Sequence, residues 1–163
     1  MNHRFKLTFL FLAGLLLLGI GSAILLVPHA FHASNGIVLG EDPSLLSEVR
    51  APGGLLAASS ILILLGTFRR SLRSLAMVLT VLVYGSFGLA RLLGFALDGI
   101  PSSGLVGATA VELFVAAIGL LILYRSGAYV ASVRQALAAD GLLRPGSTER
   151  LPGRTVESGS SIG

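Results

Sequence analysis

Long apolar runs alternate with short polar segments along most of the chain. The runs cover residues 7–27, 43–68, 75–97 and 104–124. An α-helix needs about 20 apolar residues to cross the roughly 30 Å hydrocarbon core of a bilayer, and each run reaches that length. Backbone polar groups in lipid must be paired inside the segment, which favours helices for runs of this length. The pattern therefore predicts an all-α integral membrane four-helix bundle over residues 1–125.

Turn-forming residues mark the boundaries of these runs. Pro28 ends the first run, and a loop is expected to follow it as far as Asp42. Asp42 then provides an N-cap, and Pro43 suits the first position of the second helix. Residues 98–101 read Asp-Gly-Ile-Pro, a turn signature between the third and fourth helices. Pro52 lies inside the second helix and is expected to kink it.

The two ends of the chain need separate interpretation. Residues 7–27 resemble a secretory signal, but a signal core is usually about 7–15 residues long, so a retained first span is expected. Residues 126–139 are predicted to form a short cytoplasmic helix, either extending the fourth span or lying on the membrane surface. Residues 140–163 are rich in Gly, Ser, Pro and Arg and are predicted to be disordered.

Composition agrees with a membrane protein and excludes several kinds of chemistry. Hydrophobic residues make up 53% of the 163 positions and charged residues only 12%. This composition does not supply the polar surface that a soluble domain of this size needs. The chain has no cysteine, which excludes disulfides and thiol catalysis. His29 and His32, with Glu41 and Asp42 downstream, have the residue types of a metal site. A pair of loop histidines is a weak signal, so no metal or cofactor is assigned.

Basic residues indicate how the helices are oriented. All Lys and Arg residues except Arg50 and Arg91 fall on one side of the predicted spans, and the two loops on the opposite side have neither. The positive-inside rule then places both termini in the cytoplasm. Basic residues next to spans suggest contact with membrane lipids as partners and no interaction with nucleic acid.

Charged residues inside the spans are the candidate functional residues. Arg91 and Glu112 each lie roughly 10–12 Å below the outer end of neighbouring antiparallel helices, so they are expected to form an ion pair. Arg50 is expected in the same layer, which would then carry a surplus positive charge. Glu48, Asp98 or a bound anion could balance that charge.

This buried charged layer leaves three function classes open. An ionised group in hydrocarbon costs several kcal/mol without a partner, so the layer needs a reason to exist. The first class is a non-enzymatic protein, structural or bound to a membrane protein partner or to a second copy of itself, in which the charges fix the helices. The second is a small transporter or ligand-binding protein with an anion or proton site. The third is a membrane enzyme acting on lipid or quinone, with Glu112 as its acid or base.

Several of these features occur together in a known family. They are the Pro-ended first span, Asp42-Pro43, Glu48-Val49-Arg50-Ala51 followed by Gly53-Gly54, Arg91, Asp98-Gly99-Ile100-Pro101 and Glu112. In these residues and motifs, the segment 7–124 resembles domain-of-unknown-function family 4345. The resemblance implies a bacterial four-helix integral membrane protein with no assigned activity, located in the plasma (inner) membrane.

Overall fold

Four long helices and one short helix account for the regular structure. The computed structural model describes residues 3–127 and position 135, and within them all regular structure is helical. The helices are α1 (His3–Leu26), α2 (Pro28–Ala33), α3 (Pro43–Phe68), α4 (Arg73–Asp98) and α5 (Ser103–Ser126), with a 3₁₀ turn at Arg70–Leu72. All except α2 are long and apolar enough to cross a membrane. For the described residues this confirms an all-α chain with four candidate spans.

The start of α3 follows directly from local chemistry. Asp42 Oδ1 accepts hydrogen bonds from the backbone N–H groups of Ser44 and Leu45, at 2.8 and 3.0 Å. These bonds stabilise the carboxylate and so hold the pKa of Asp42 below its ordinary value of 3.8. The bond from Leu45 has the largest effect. Pro43 occupies the first turn, and α3 then continues through Pro52 without interruption.

Helix α2 is the one described helix that the sequence did not predict. Residues 28–33 were expected to open a loop, but α2 begins at Pro28. Proline loses nothing at the first helical position, because the N–H that it lacks has no partner there in any case. Pro28 therefore ends one helix and begins the next.

Glycines allow α1 and α3 to approach closely. A Cβ at Gly21 would lie 2.6 Å from the backbone nitrogen of Ala57, and one at Gly53 would lie 2.8 Å from Ile24 Cγ2. Small residues at such positions increase van der Waals contact between helices in a membrane. This contact matters there because the hydrophobic effect does not drive helix association within lipid. The close contact therefore fixes α1 against the middle of α3.

Packing follows the order α1, α3, α4, α5. Near its middle, α4 is joined directly to α1 by a hydrogen bond from the hydroxyl of Tyr84 to the carbonyl oxygen of Ala13, at 2.6 Å. Helices α1 and α5 are not packed as closely as the neighbouring pairs α1–α3, α3–α4 and α4–α5. Two cavities lie between α1 and α5, and Leu16 lines both of them. We call this line between the two helices the α1–α5 seam.

The C-terminal predictions fall largely outside the described residues. Gly127, with φ of 60°, ends α5 in the left-handed conformation. Apart from residues 126, 127 and 135, the short helix predicted over 126–139 and the disordered tail predicted over 140–163 lie outside the described part of the chain. The cytoplasmic position of both termini also stays a prediction.

Candidate functional site

Arg91 and Glu112 form an ion pair between α4 and α5. Arg91 Nε donates a hydrogen bond to Glu112 Oε1 at 3.2 Å and lies 3.1 Å from Oε2. The Arg91 side chain is 31% exposed and that of Glu112 is 12% exposed. Gly88, one turn before Arg91, lets the helices meet here, because a Cβ on it would lie 2.8 Å from Leu113 Cδ2. The pair therefore sits where the two helices are in contact.

A cavity of about 280 Å³ opens beside this pair. Arg91, Glu112 and Tyr84 provide its polar wall, and apolar residues of α1, α3, α4 and α5 provide the remainder. The apolar lining side chains are those of Leu16, Leu17, Ile20, Ile24, Leu56, Val83, Phe87, Ala108 and Val111. Small-molecule sites commonly have volumes of about 300–1,000 Å³ and are mostly apolar with a few polar groups, so this cavity falls at the small end of that range.

The ion pair leaves hydrogen-bond donors on Arg91 and an acceptor oxygen on Glu112 unpaired within the described residues. A guanidinium group has five N–H donors, and Arg91 uses only Nε within the described residues. Glu112 Oε2 is buried and accepts no hydrogen bond there, although Nε is close to it. Tyr84, by contrast, already donates its hydroxyl proton to Ala13. The Nη groups of Arg91 are thus the donors that remain for a ligand in the cavity.

The other three predicted charged residues do not join this pair. Arg50 is exposed and lines an open groove beside Gly54 and Leu25, whereas Glu48 and Asp98 are exposed and line none of the cavities described here. None of the three makes an ion pair within the described residues. Arg91 and Glu112 alone therefore make a charge-balanced pair, without the surplus positive charge that the sequence suggested.

The four residues considered as metal ligands in the sequence, His29, His32, Glu41 and Asp42, make other contacts in the structure. His32 Nδ1 bonds to the carbonyl oxygen of Pro28 at 2.8 Å, and Asp42 caps α3. His29 Nε2 lies 3.6 Å from Glu41 Oε1. Over residues 3–127, no three His, Asp or Glu side chains gather as metal ligands.

Buried hydroxyl groups elsewhere in the spans bond to their own helices. Ser60 donates to the Ala57 carbonyl at 2.6 Å, Thr80 to that of Ala76 at 2.8 Å and Thr109 to that of Leu105 at 2.9 Å. Hydroxyls satisfied in this way need no partner on another helix. They do not extend the polar wall of the cavity toward the other end of the bundle.

Tyr84 is the site residue that sequence reasoning missed. Its spacing of seven residues from Arg91 places both on nearly the same face of a helix, and that spacing was the available signal. Tyr84 is 2% exposed, donates a hydrogen bond to α1 and lines the cavity two turns before Arg91.

Comparisons with known proteins agree with the family resemblance. The family model described as "Domain of unknown function (DUF4345)" matches residues 5–123, which includes all four long helices almost completely. No curated protein and no solved structure matched the chain. The match covers most of the chain, so this protein belongs to the DUF4345 family.

Proposed function

We propose that this protein binds a neutral lipophilic molecule in the cavity between α1, α4 and α5. The observation that carries the proposal is an apolar cavity whose wall contains a guanidinium group with unused donors. The apolar lining suits a hydrocarbon body, and Arg91 suits a hydrogen-bond acceptor at one end of it. The ligand is therefore an elongated molecule with a terminal carbonyl, such as a ketone, an ester or a quinone.

Charge balance favours a neutral ligand over an anion. Arg91 and Glu112 already neutralise each other. Among the described residues, Arg50 forms no ion pair with Glu112, and it lines a different groove from this cavity. An anion at Arg91 would bring a second negative charge next to the largely buried Glu112, in a region where ionised groups cost several kcal/mol. A carbonyl oxygen accepts from Arg91 without that cost.

The α1–α5 seam supports entry of the ligand from the bilayer. A second cavity of about 300 Å³ lies farther along the seam and is lined by side chains such as Phe9, Leu12, Phe114 and Ile118. Leu16 lies in the wall of both. A hydrocarbon chain extending from Arg91 would therefore follow the seam and remain in apolar surroundings.

Binding of three matched probes tests this proposal. We expect 2-tetradecanone to bind about tenfold to a hundredfold more tightly than tetradecane, because a hydrogen bond to a charged donor contributes about 1.5–3 kcal/mol. Ionised myristate should bind more weakly than the ketone. Native mass spectrometry in detergent can rank all three. Equal binding of ketone and alkane would contradict a role of Arg91 in recognition.

Two tryptophan substitutions on α5 locate the binding site. Val111→Trp should block ketone binding, because Val111 lines the cavity. Val106→Trp is the matched control, since Val106 is also an exposed valine of α5 but lines none of the cavities described here. If both variants bind the ketone as the wild type does, the cavity is not the site.

A structural role of the pair is the second candidate. The hydrogen bond between α4 and α5 supports it directly, and partner binding or self-association would then be the activity of the protein. The enzyme alternative has less support, because neither Glu48 nor Asp98 lines the cavity to provide a second carboxyl beside Glu112. The stability measurements in the Discussion separate the structural role from ligand binding.

We also propose that the protein spans a bacterial plasma membrane with both termini inside. The basic residues at one end of the long helices support this orientation. The chain lacks cysteine, so single cysteines can be labelled cleanly. An impermeant maleimide should label Ser102→Cys in intact cells and label Ser71→Cys only after permeabilisation. The reverse pattern would invert the orientation.

A further inference from the structure

A basic recess lies at the opposite end of the helices from Arg91. Its volume is about 240 Å³, and Lys6, Arg70, Arg73 and Ser74 provide its polar wall. The three basic residues come from α1, from the 3₁₀ turn and from the first position of α4. The fold therefore gathers positive charges from three separate segments around one concave surface.

The inner surface of this recess is apolar. Met77, Ile122 and Leu123 line it, and each is at most 5% exposed. The long helices have 24 or 26 residues, so at 1.5 Å per residue they measure about 36–39 Å, several ångströms more than the hydrocarbon core. The recess at their ends consequently falls near the level of the lipid headgroups, with its apolar surface toward the hydrocarbon.

Arg70 and Arg73 of this recess form no ion pair within the described part of the chain. No acidic side chain lines the recess. The described acidic residues lie toward the other end of the long helices or in the loop before α3. Arg73 Nη1 lies 2.8 Å from Nε2 of His3, and an imidazole that accepts this hydrogen bond is neutral and does not balance the charge of Arg73. Arg73 Nε is buried and has no hydrogen-bond acceptor among the described residues.

We propose that this recess binds the phosphate of an anionic phospholipid, with the start of an acyl chain against Met77 and Leu123. Phosphate oxygens are the acceptors that arginine pairs best, and they would provide the acceptor that Arg73 lacks. A soluble phosphate would satisfy the same charges, but it would leave the apolar surface unused. The recess is separate from the Arg91 cavity, and the proposal does not depend on the ligand proposed there.

Lipid binding to the full-length protein in a neutral detergent tests the assignment. We expect dioleoylphosphatidylglycerol to bind at least tenfold more tightly than dioleoylphosphatidylcholine, which has the same chains but no net charge. Each basic residue near a membrane surface contributes about 1 kcal/mol, so Arg73→Gln and Arg70→Gln should each weaken phosphatidylglycerol binding about fivefold. Arg69→Gln is the matched control, because Arg69 is a neighbouring exposed arginine that does not line the recess. It should change binding less than twofold.

The remaining outcomes overturn the proposal in distinguishable ways. Equal losses in Arg69→Gln and Arg70→Gln would indicate diffuse surface charge without a site. No preference between the two lipids would exclude phosphate recognition. Competition by inorganic phosphate at the concentration of the lipid would assign the recess to a soluble anion. Arg70 is exposed, so its substitution keeps the test valid if Arg73→Gln fails to fold.

Discussion

Removing one member of the Arg91–Glu112 pair should destabilise the protein more than removing both. Arg91→Met leaves the carboxylate of Glu112, 12% exposed, without its partner. Breaking a buried ion pair in this way costs about 3–5 kcal/mol, and the partial exposure favours the lower end, about 3 kcal/mol. With a decrease of roughly 2–4 °C in Tm per kcal/mol for a chain of this size, the Tm should fall by about 6–12 °C.

Glu112→Gln should have a smaller effect. Arg91 is 31% exposed and lies about 10 Å from the end of α4, so its long side chain can extend toward the headgroups. The glutamine oxygen also still accepts a hydrogen bond. We expect a loss of about 1–2 kcal/mol. The double variant should recover to within about 1 kcal/mol of the wild type, because replacing both charges removes the desolvation cost as well as the attraction.

Thermal unfolding of the four proteins in one detergent gives the coupling energy between the two residues. Arg50→Met is the control, because Arg50 is an exposed arginine on α3 without an ion-pair partner in the described residues, and it should change stability by at most about 0.5 kcal/mol. Additive losses in the double variant would refute the predicted coupling. A double variant about as unstable as Arg91→Met would show that the pair holds α4 and α5 together, as the structural role requires.

Three further predictions concern the helix contacts and the α3 cap. Tyr84→Phe removes the hydrogen bond to Ala13 and should cost about 1 kcal/mol in unfolding experiments, whereas Tyr124→Phe, at a tyrosine 86% exposed, should cost nothing measurable. Gly21→Ala should cost about 1–3 kcal/mol, since its Cβ would meet the backbone of α3, whereas Gly19→Ala has open space around it and should be neutral or slightly stabilising. The lowered pKa of Asp42 means that its cap contributes stability above the unfolded pKa and loses it as pH falls through the folded pKa. Thermal melts from pH 7 to pH 3 should therefore show a loss in the wild type that is smaller in Asp42→Asn, and identical pH profiles would exclude this contribution of the cap.

The helices could be predicted from the sequence because lipid leaves few alternatives. A run such as residues 104–124 must pair its backbone internally, and α5 at Ser103–Ser126 encloses it. The height of a charge in the membrane also follows from residue counting, which is why the Arg91–Glu112 contact could be anticipated. The first turn of α2 could not, because a proline can either end a helix or begin one.

The direction in which a side chain points around its helix was harder to predict. Arg50 shares a broad face with Gly53 and Gly54, and small residues commonly mark the side of a membrane helix that packs against a neighbour. In the structure Gly53 contacts α1, whereas Gly54 has open space around it and lies in the groove with Arg50. Adjacent glycines point about 100° apart on a helix, so their presence alone cannot decide which one faces a neighbour.

The cavity itself had no sequence signal, because it exists where α1 and α5 fail to pack. Side chains such as Leu16 and Val111 look like ordinary core or lipid-facing residues in the sequence. Whether they face lipid, protein or a cavity depends on the order in which the helices pack, which hydropathy does not encode. Sequence reasoning therefore identified the Arg91–Glu112 pair of the site, but neither Tyr84 nor the space beside these residues.

The distribution of charge argues that the two proposed sites are independent. The pair near one end of α4 is neutral and favours an uncharged ligand, whereas the recess at the other end is basic and favours an anion. Arg73 and Arg91 are about 27 Å apart along α4 at 1.5 Å per residue. Two unit charges at that distance interact by about 0.6 kcal/mol at an effective dielectric constant of 20. Filling one site should therefore change the affinity of the other by less than about threefold. A larger coupling would mean that α4 moves as a unit when either ligand binds.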